Sequence, residues 1–221
     1  MKTSDFNRVI AVGDCHGHLD KLKDIWNKIN IQDDDLVIFL GDYIDRGNDS
    51  VECLKFMKEL SKRPNVVVLM GNHEAFMRDY FKNDINRTTN DIWLDPRNGG
   101  DVTHDQLNEL LLEEKKELID FVSNLPVMYR EIDGYIFVHA GIYPRFELDE
   151  QDEQDLLWIR EEFFENYDGD DIVVIGHTPV QYLGYDVPII KSNIFFVDTG
   201  AAMDRKMSAI DVKTKKFIQS I

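Results

Sequence analysis

The stretch "LGDYIDRG", residues 40–47, sets Asp42, Asp45 and Arg46 between two glycines directly after the apolar run "DLVIFL" (35–40). Two carboxylates and a guanidinium at the mouth of a core have two readings. One is loop solubility. The other is chemistry, with carboxylates that hold cations and a guanidinium that grips an oxyanion through parallel N–H groups. The same arrangement of an apolar run and a polar, glycine-flanked end occurs at five further places. "VIAV" leads into Gly13-Asp14-Cys15-His16-Gly17, "VVLM" into Gly71-Asn72-His73-Glu74, and "IFV" into His139-Ala140-Gly141. "VVI" leads into Gly176-His177, and "IFFV" into Asp198-Thr199-Gly200. One such end is ordinarily a turn or a satisfied core residue. Six in order can surround a single point, with glycine allowing tight turns and close backbone approach.

The donors at these ends are oxygen and imidazole, which suits manganese, iron or zinc, shared between two ions. Two neighbouring ions need a bridge, and a carboxylate supplies two oxygens and a negative charge. Asp42 is the candidate bridge, because its run lies between the others.

Those side chains must be carried by regular elements. Short runs rich in Val, Ile and Phe at 8–12, 35–40, 65–70, 135–139, 171–175 and 194–198 read as strands buried on both faces, and "MSAIDV" with "KKFIQSI" reads as a terminal hairpin. Amphipathic helices are expected between them. Residues 19–29 put Leu19, Leu22, Ile25, Trp26 and Ile29 on one face; residues 49–61, capped by Asp49, do so with Val51, Leu54, Met57 and Leu60. Charged helices are expected over 104–123 and 151–166. Strand–helix alternation makes the class α/β, where ligands sit beyond the carboxyl ends of strands. The polar segment 83–103 reads either as a lid or as an irregular connector.

The length, 221 residues, fits one domain spanning 1–221. A net charge of −17 would repel a phosphate backbone, which argues against extended nucleic-acid binding. Cys15 and Cys53 form neither a CxxC pair nor a disulfide framework, so reduced thiols are expected. No apolar run reaches membrane-spanning length, and the start of the chain lacks a signal-peptide pattern. The expected location is the cytoplasm.

"GDCHG", "GDYIDRG", "GNHE", "HAG" and "GH", in this order, resemble the calcineurin-like metallophosphoesterases of the phosphoprotein phosphatase type. That branch includes serine/threonine protein phosphatases, the lambda-phage phosphatase and bacterial diadenosine tetraphosphate hydrolases. The resemblance spans residues 13–200 and implies two mixed β-sheets sandwiched between helices. It implies two divalent metal ions, manganese first, with iron or zinc as alternatives. Asp14 and His16 would bind one ion, Asp42 both, and Asn72, His139 and His177 the other. His73 would be the general acid, oriented by Asp45, and Arg46 a phosphate clamp. "LLWIRE" (156–161) is similar to a bacterial and phage feature whose arginine, here Arg160, also reaches substrate phosphate.

The implied reaction is hydrolysis of a phosphomonoester by a hydroxide bridging the metals, with His73 protonating the leaving oxygen. The expected substrate is a phosphorylated protein; a diadenosine polyphosphate or related nucleotide is the alternative, and an inactive binding scaffold is a third. The chain lacks the "SAPNY"-like stretch of the eukaryotic protein phosphatases, which places it on the bacterial or phage side. Aromatic residues facing the site, from Trp93 or Tyr143, would favour a purine. Bland readings stand beside several of these roles. Asp45 and Arg46 could be a turn ion pair, and Trp158 and Arg160 the core and surface of one helix. Asp198 could support a metal ligand or form a strand-end turn. Cys15 is expected to pack away from the metals, and Glu74 to cap the helix that follows it.

Overall fold

The computed structural model describes residues 1–82 and 92–221. Alternate residues of a strand point to opposite faces, so a run without polar residues needs cover on both sides. The chain meets that need with two mixed five-stranded sheets stacked face to face and flanked by helices. In the first sheet, β1 (Val9–Val12), β2 (Leu36–Phe39) and β3 (Val66–Val68) run parallel. The terminal hairpin, β9 (Ser208–Asp211) and β10 (Lys216–Gln219), joins antiparallel on the other side of β1. In the second sheet, β5 (Tyr135–Val138), β6 (Ile172–Ile175) and β8 (Ile194–Phe196) run parallel, edged by antiparallel β4 (Met128–Tyr129) and β7 (Ile189–Lys191). The two edge strands have no counterpart among the expected runs; both are very short.

Val9, Ala11, Leu36 and Ile38 pack against Phe137, Val174 and Phe195 between the sheets. The alternate residues, Ile10, Val12, Val37 and Phe39, face α1 (Leu19–Ile29) and α2 (Ser50–Leu60). Each fully buried side chain of this kind contributes roughly 1.5–3 kcal/mol. The helix expected over 49–61 is α2. Asp49 occupies its cap position, but the Asp49 side chain makes no capping bond. A further helix, α3 (Asn72–Phe81), starts directly from the end of β3.

Two expected helices are each a pair. Residues 104–123 fall in α4 (Gly100–Asn108) and α5 (Leu112–Ser123), with the chain turning between them. An unbroken 20-residue helix would run about 30 Å, far past the 11-residue α2 on which both pieces pack. Residues 151–166 form α6 (Glu153–Trp158) and α7 (Glu161–Asn166), broken at Ile159 and Arg160. Ile159 turns into the apolar layer beside Phe163, while Arg160 takes a non-helical conformation. Of the segment 83–103, residues 83–91 lie outside the described residues; the remainder forms a turn and enters α4.

The carboxyl ends of β1, β2 and β3 share one sheet edge, and those of β5, β6 and β8 share the facing one. His139 Nδ1 lies 2.9 Å from the Leu40 carbonyl, so the two edges are stitched together where the polar ends begin.

Candidate active site

The loops at these edges are held in unusual backbone conformations. His16, Asp42, Asp45, Arg46 and His177 have φ of 44°, 55°, 72°, 69° and 57°. Such left-handed conformations cost non-glycine residues about 1–3 kcal/mol each and persist only where neighbours enforce them. Glu74 is the chief enforcer at the 40–47 loop. Its Oε2 accepts the amides of Asp42 (2.8 Å) and Gly71 (3.0 Å), and its Oε1 those of Tyr43 (2.8 Å) and Ile44 (3.3 Å). Glu74 therefore caps α3, as expected, and also fastens the neighbouring loop. At Gly71 a Cβ would strike the Asp42 carboxylate, and at Gly176 it would strike that of Asp14. Both positions need a residue without one.

The imidazoles are fixed in one tautomer by what their Nδ1 atoms meet. His16 Nδ1 lies 3.1 Å from the Ile44 carbonyl and His139 Nδ1 2.9 Å from the Leu40 carbonyl. A carbonyl only accepts, so both Nδ1 atoms donate, and each neutral ring turns its Nε2 lone pair inward. Both lone pairs face Asp42 Oδ2 at 3.4 Å, and His139 Nε2 also lies 2.9 Å from Asn72 Oδ1, an atom that cannot donate. His177 Nε2 is buried without a hydrogen-bond partner among the described residues. Acceptors converge here, and among the described residues the one side chain that donates to these imidazole nitrogens is Arg46, at His16 Nε2.

The carboxylates carry the same message. Burial, then the charges of Asp198 and Asp42, pushes the Asp14 carboxyl well above its usual range. Burial chiefly raises Asp198, to about 6. Burial would also raise Asp42, but the imidazoles of His139 and His73 hold it well below the ordinary value. Burial lowers His16 and His177 well below the usual imidazole value; at His139 burial also pulls downward, but the charge and hydrogen bond of Asp42, the Leu40 carbonyl and the Glu74 charge together raise it. Among the described residues, two groups offer ligand atoms within 4.8 Å of one another: His16, Asp42 and His73, and Asp42, His139 and His177. Asp42 is common to both. Asp14 belongs to neither group; its Oδ2 accepts the His177 amide at 3.0 Å. The set has the donor chemistry to hold divalent cations.

Beside it stands a hydrogen-bonded dyad. His73 Nδ1 lies 2.6 Å from Asp45 Oδ2. The same oxygen accepts from Trp93 Nε1 at 2.9 Å, and Oδ1 accepts from Thr103 Oγ1 at 2.6 Å. Arg46 donates not to Asp45 but to two imidazoles, His16 Nε2 at 2.7 Å and His73 Nε2 at 3.0 Å. The simple Asp45–Arg46 ion pair is therefore not what forms. Arg160, at the break between α6 and α7, donates to the His177 carbonyl and Thr178 Oγ1, both at 3.1 Å.

These groups open on a cavity of about 350 Å³. His16, Asp42, Asn72, His73 and His177 form part of its lining, with Arg46 and Arg160. Asp14, Asp45 and His139 are buried behind it. Asp198 lines the cavity and also accepts the Gly200 amide at 2.8 Å, so it is a strand-end turn at the site itself. Cys15 packs away from the cavity, its thiol against the Tyr43 carbonyl. Neither Trp93 nor Tyr143 lines the cavity. Trp93 is fully buried, and Tyr143 bonds Glu162 and stacks on Phe146. The aromatic lining comes instead from Trp158 and Tyr182, and Arg97 and Met203 also line the cavity. Sequence reasoning missed Tyr182, Arg97 and the support of Asp45 by Trp93 and Thr103. The "WLDPRNGG" stretch, with its Pro and paired glycines, was the one available signal.

A family profile described as calcineurin-like phosphoesterase matches residues 7–198. An asymmetrical bis(5'-nucleosyl)-tetraphosphatase of Oceanobacillus iheyensis is 23% identical over 96% of this chain and 91% of its own. A serine/threonine-protein phosphatase 2 of Salmonella typhimurium is 27% identical over 94% of each chain. Among solved structures, that of a diadenosine tetraphosphatase, so described provisionally, superposes with a TM-score of 0.70 at 19% identity, covering 99% of this chain and 95% of the other. Among the described residues, no helix is long and apolar enough to cross a membrane.

Proposed function

We propose that this chain, which belongs to the calcineurin-like phosphoesterase family, hydrolyses phosphate esters at a centre of two divalent metal ions. Asp14, His16 and Asp42 would hold one ion, and Asp42, Asn72, His139 and His177 the other. The observation that carries the reading is the convergence of inward imidazole lone pairs on the Asp42 carboxylate, at 3.4 Å from both His16 and His139. Manganese is the proposed metal, with iron or zinc as alternatives, because the donors are oxygen and nitrogen without thiolate. Bound divalent cations supply Lewis-acid polarisation of the phosphoryl oxygens and a lowered pKa for water.

The chain's own residues complete the reaction. Arg46 and Arg160 neutralise charge that develops on the phosphoryl oxygens, in a cavity walled off from bulk solvent on its protein side. An oxyanion competes for the Arg46 N–H groups that otherwise point at His16 and His73, and so frees the Nε2 of both rings. His73, with Nδ1 held on Asp45, takes up a proton from water at the freed Nε2 and, as an imidazolium, delivers that proton to the leaving oxygen. Asp45 keeps the ring oriented, and Trp93 and Thr103 keep Asp45 in place.

Two substrate readings remain, each favoured by a relative that covers nearly the whole chain. A phosphoserine or phosphothreonine protein is favoured by the Salmonella relative, and a dinucleoside polyphosphate by the Oceanobacillus one. Rates on phosphopeptides, diadenosine tetraphosphate and a phosphodiester, compared side by side with manganese-loaded protein, test the reading. Turnover of none of the three, or of Asp42→Asn as fast as the wild type with unchanged metal content, would overturn it.

A further inference from the structure

Carboxylates outnumber Lys and Arg by 42 to 25 in this chain, yet the cavity is lined by three guanidiniums, Arg46, Arg160 and Arg97. The first two reach inward to the imidazoles and to the His177 loop. Arg97 stands at the rim, its side chain 89% exposed. Its guanidinium is nonetheless oriented, because Nε and Nη2 donate to the two oxygens of Asp95 at 2.9 and 2.6 Å. That bidentate contact uses one edge of the fork. Among the described residues nothing else bonds this guanidinium, so the Nη1/Nη2 edge remains for a second oxyanion, and two parallel N–H groups match two oxygens of a phosphate.

The backbone that carries Arg97 is tied to the reacting groups on both sides. Before it, Trp93 bonds Asp45. After it, the Gly99 carbonyl accepts the Arg46 amide at 3.4 Å, and Thr103 bonds Asp45. Gly99 has φ of 78°, and a Cβ there would strike the Arg46 backbone, so the turn is pressed directly onto the phosphate-binding loop. A residue set on such a turn keeps a fixed offset from Arg46. An isolated monoester presents one phosphoryl group, which Arg46 and Arg160 already serve. A rim guanidinium at fixed offset gains a partner only if the substrate carries further negative charge next to the reacting phosphorus.

We propose that Arg97 is a specificity-determining residue that binds a second phosphate, adjoining the one held by Arg46 and Arg160, and so favours phosphoanhydride-linked polyphosphates over isolated monoesters. This rests on the phosphoesterase reading of the same cavity. It assigns to the 92–99 turn the selection between the two substrate classes.

The test has a binding arm and a kinetic arm. Inorganic triphosphate and orthophosphate are titrated calorimetrically into manganese-loaded wild type, Arg97→Ala and Arg97→Lys. Wild type should bind triphosphate more tightly. Arg97→Ala should weaken triphosphate about 10-fold, the worth of one charge-assisted contact, and orthophosphate less than about 3-fold. Arg97→Lys, which keeps the charge and loses the fork, should fall between. In kinetics, kcat/KM for diadenosine tetraphosphate should drop by a similar factor in Arg97→Ala, with a smaller drop for p-nitrophenyl phosphate. Equal weakening of both anions, no preference for triphosphate in the wild type, or an equal loss on a singly phosphorylated peptide with neutral flanks would overturn the assignment. Failure of the phosphoesterase reading looks different: triphosphate binding would still depend on Arg97, but no substrate would turn over.

Discussion

The Glu74 carboxylate accepts the Asp42 amide at 2.8 Å and holds that residue in a left-handed conformation. It also accepts the amides of Tyr43 and Gly71, so one buried side chain sets both the loop after β2 and the start of α3. Burial, then the Asp42 charge, raises the Glu74 carboxyl to about 7. Glu74→Gln replaces one accepting oxygen with an NH2 that faces backbone donors. The expected loss is about 1–3 kcal/mol of stability, that of unmade buried hydrogen bonds. Metal content should fall with it, because Asp42 is no longer aimed. Chemical denaturation and metal analysis check this; a variant of wild-type stability with full metal content would remove Glu74 from the role.

Trp93 tests the support of the acid separately from the acid itself. Trp93→Phe keeps an aromatic ring in a fully buried position and deletes only the indole N–H on Asp45 Oδ2. Asp45 then keeps His73 and Thr103 as partners. The expected effect is a kcat lowered about 10-fold for alkyl phosphates, consistent with one lost hydrogen bond of about 1.4 kcal/mol to a charged group, with a smaller effect for nitrophenyl phosphate. KM should hardly change. His73→Asn should show the same leaving-group pattern with a larger loss. Equal losses on good and poor leaving groups would separate both residues from proton delivery.

Gly176→Ala addresses the least approachable corner. The added methyl would meet the Asp14 carboxylate, which also accepts the amide of His177. Overpacking of this kind costs about 1–3 kcal/mol. The carboxylate is the part able to move, so Asp14 should rotate off the His177 amide while the sheets stay intact. Metal titration should then show weakened binding in a protein with native circular dichroism. Tight binding with unchanged stoichiometry would show that Asp14 does not need its present position.

The polar strand ends were readable because each follows an uninterrupted apolar run and carries its own glycine. His16, Asp42, Asn72 and His177 reach one cavity for that reason: parallel strands in a sheet end on the same edge. The role of the 92–103 turn was not readable in the same way. Trp93, Arg97 and Thr103 belong to no periodic pattern, and each is placed by contact with Asp45, with Asp95 or with the cavity rim, relations that exist only once the chain has folded. The break at Arg160 was hidden for the opposite reason. Leu156, Leu157, Ile159, Phe163 and Phe164 keep a helical apolar pattern straight through it, while the backbone departs from helix so that Arg160 can reach the His177 carbonyl.

Asp35, far from the site, should contribute to the acid sensitivity of the fold. Its buried carboxylate accepts from Arg8 Nε (3.0 Å), Asn7 Nδ2 (3.2 Å) and the Gln32 amide (2.8 Å), joining the chain before β1 to the start of β2. Burial raises its pKa, but the Arg8 and Gln32 hydrogen bonds outweigh burial and leave it below the ordinary value. With the folded pKa depressed, the unfolded chain binds the proton more readily. The stabilisation is therefore complete above the unfolded value of about 3.9 and is lost as pH falls through the lower folded value. Asp35→Asn should cost about 2 kcal/mol at neutral pH, the worth of charge-assisted bonds left unmade. It should also flatten the fall in stability below about pH 4 relative to wild type. Urea denaturation of both proteins between neutral and acid pH reads the two slopes. Parallel curves over the whole range would show that the Asp35–Arg8 pair carries none of the acid sensitivity.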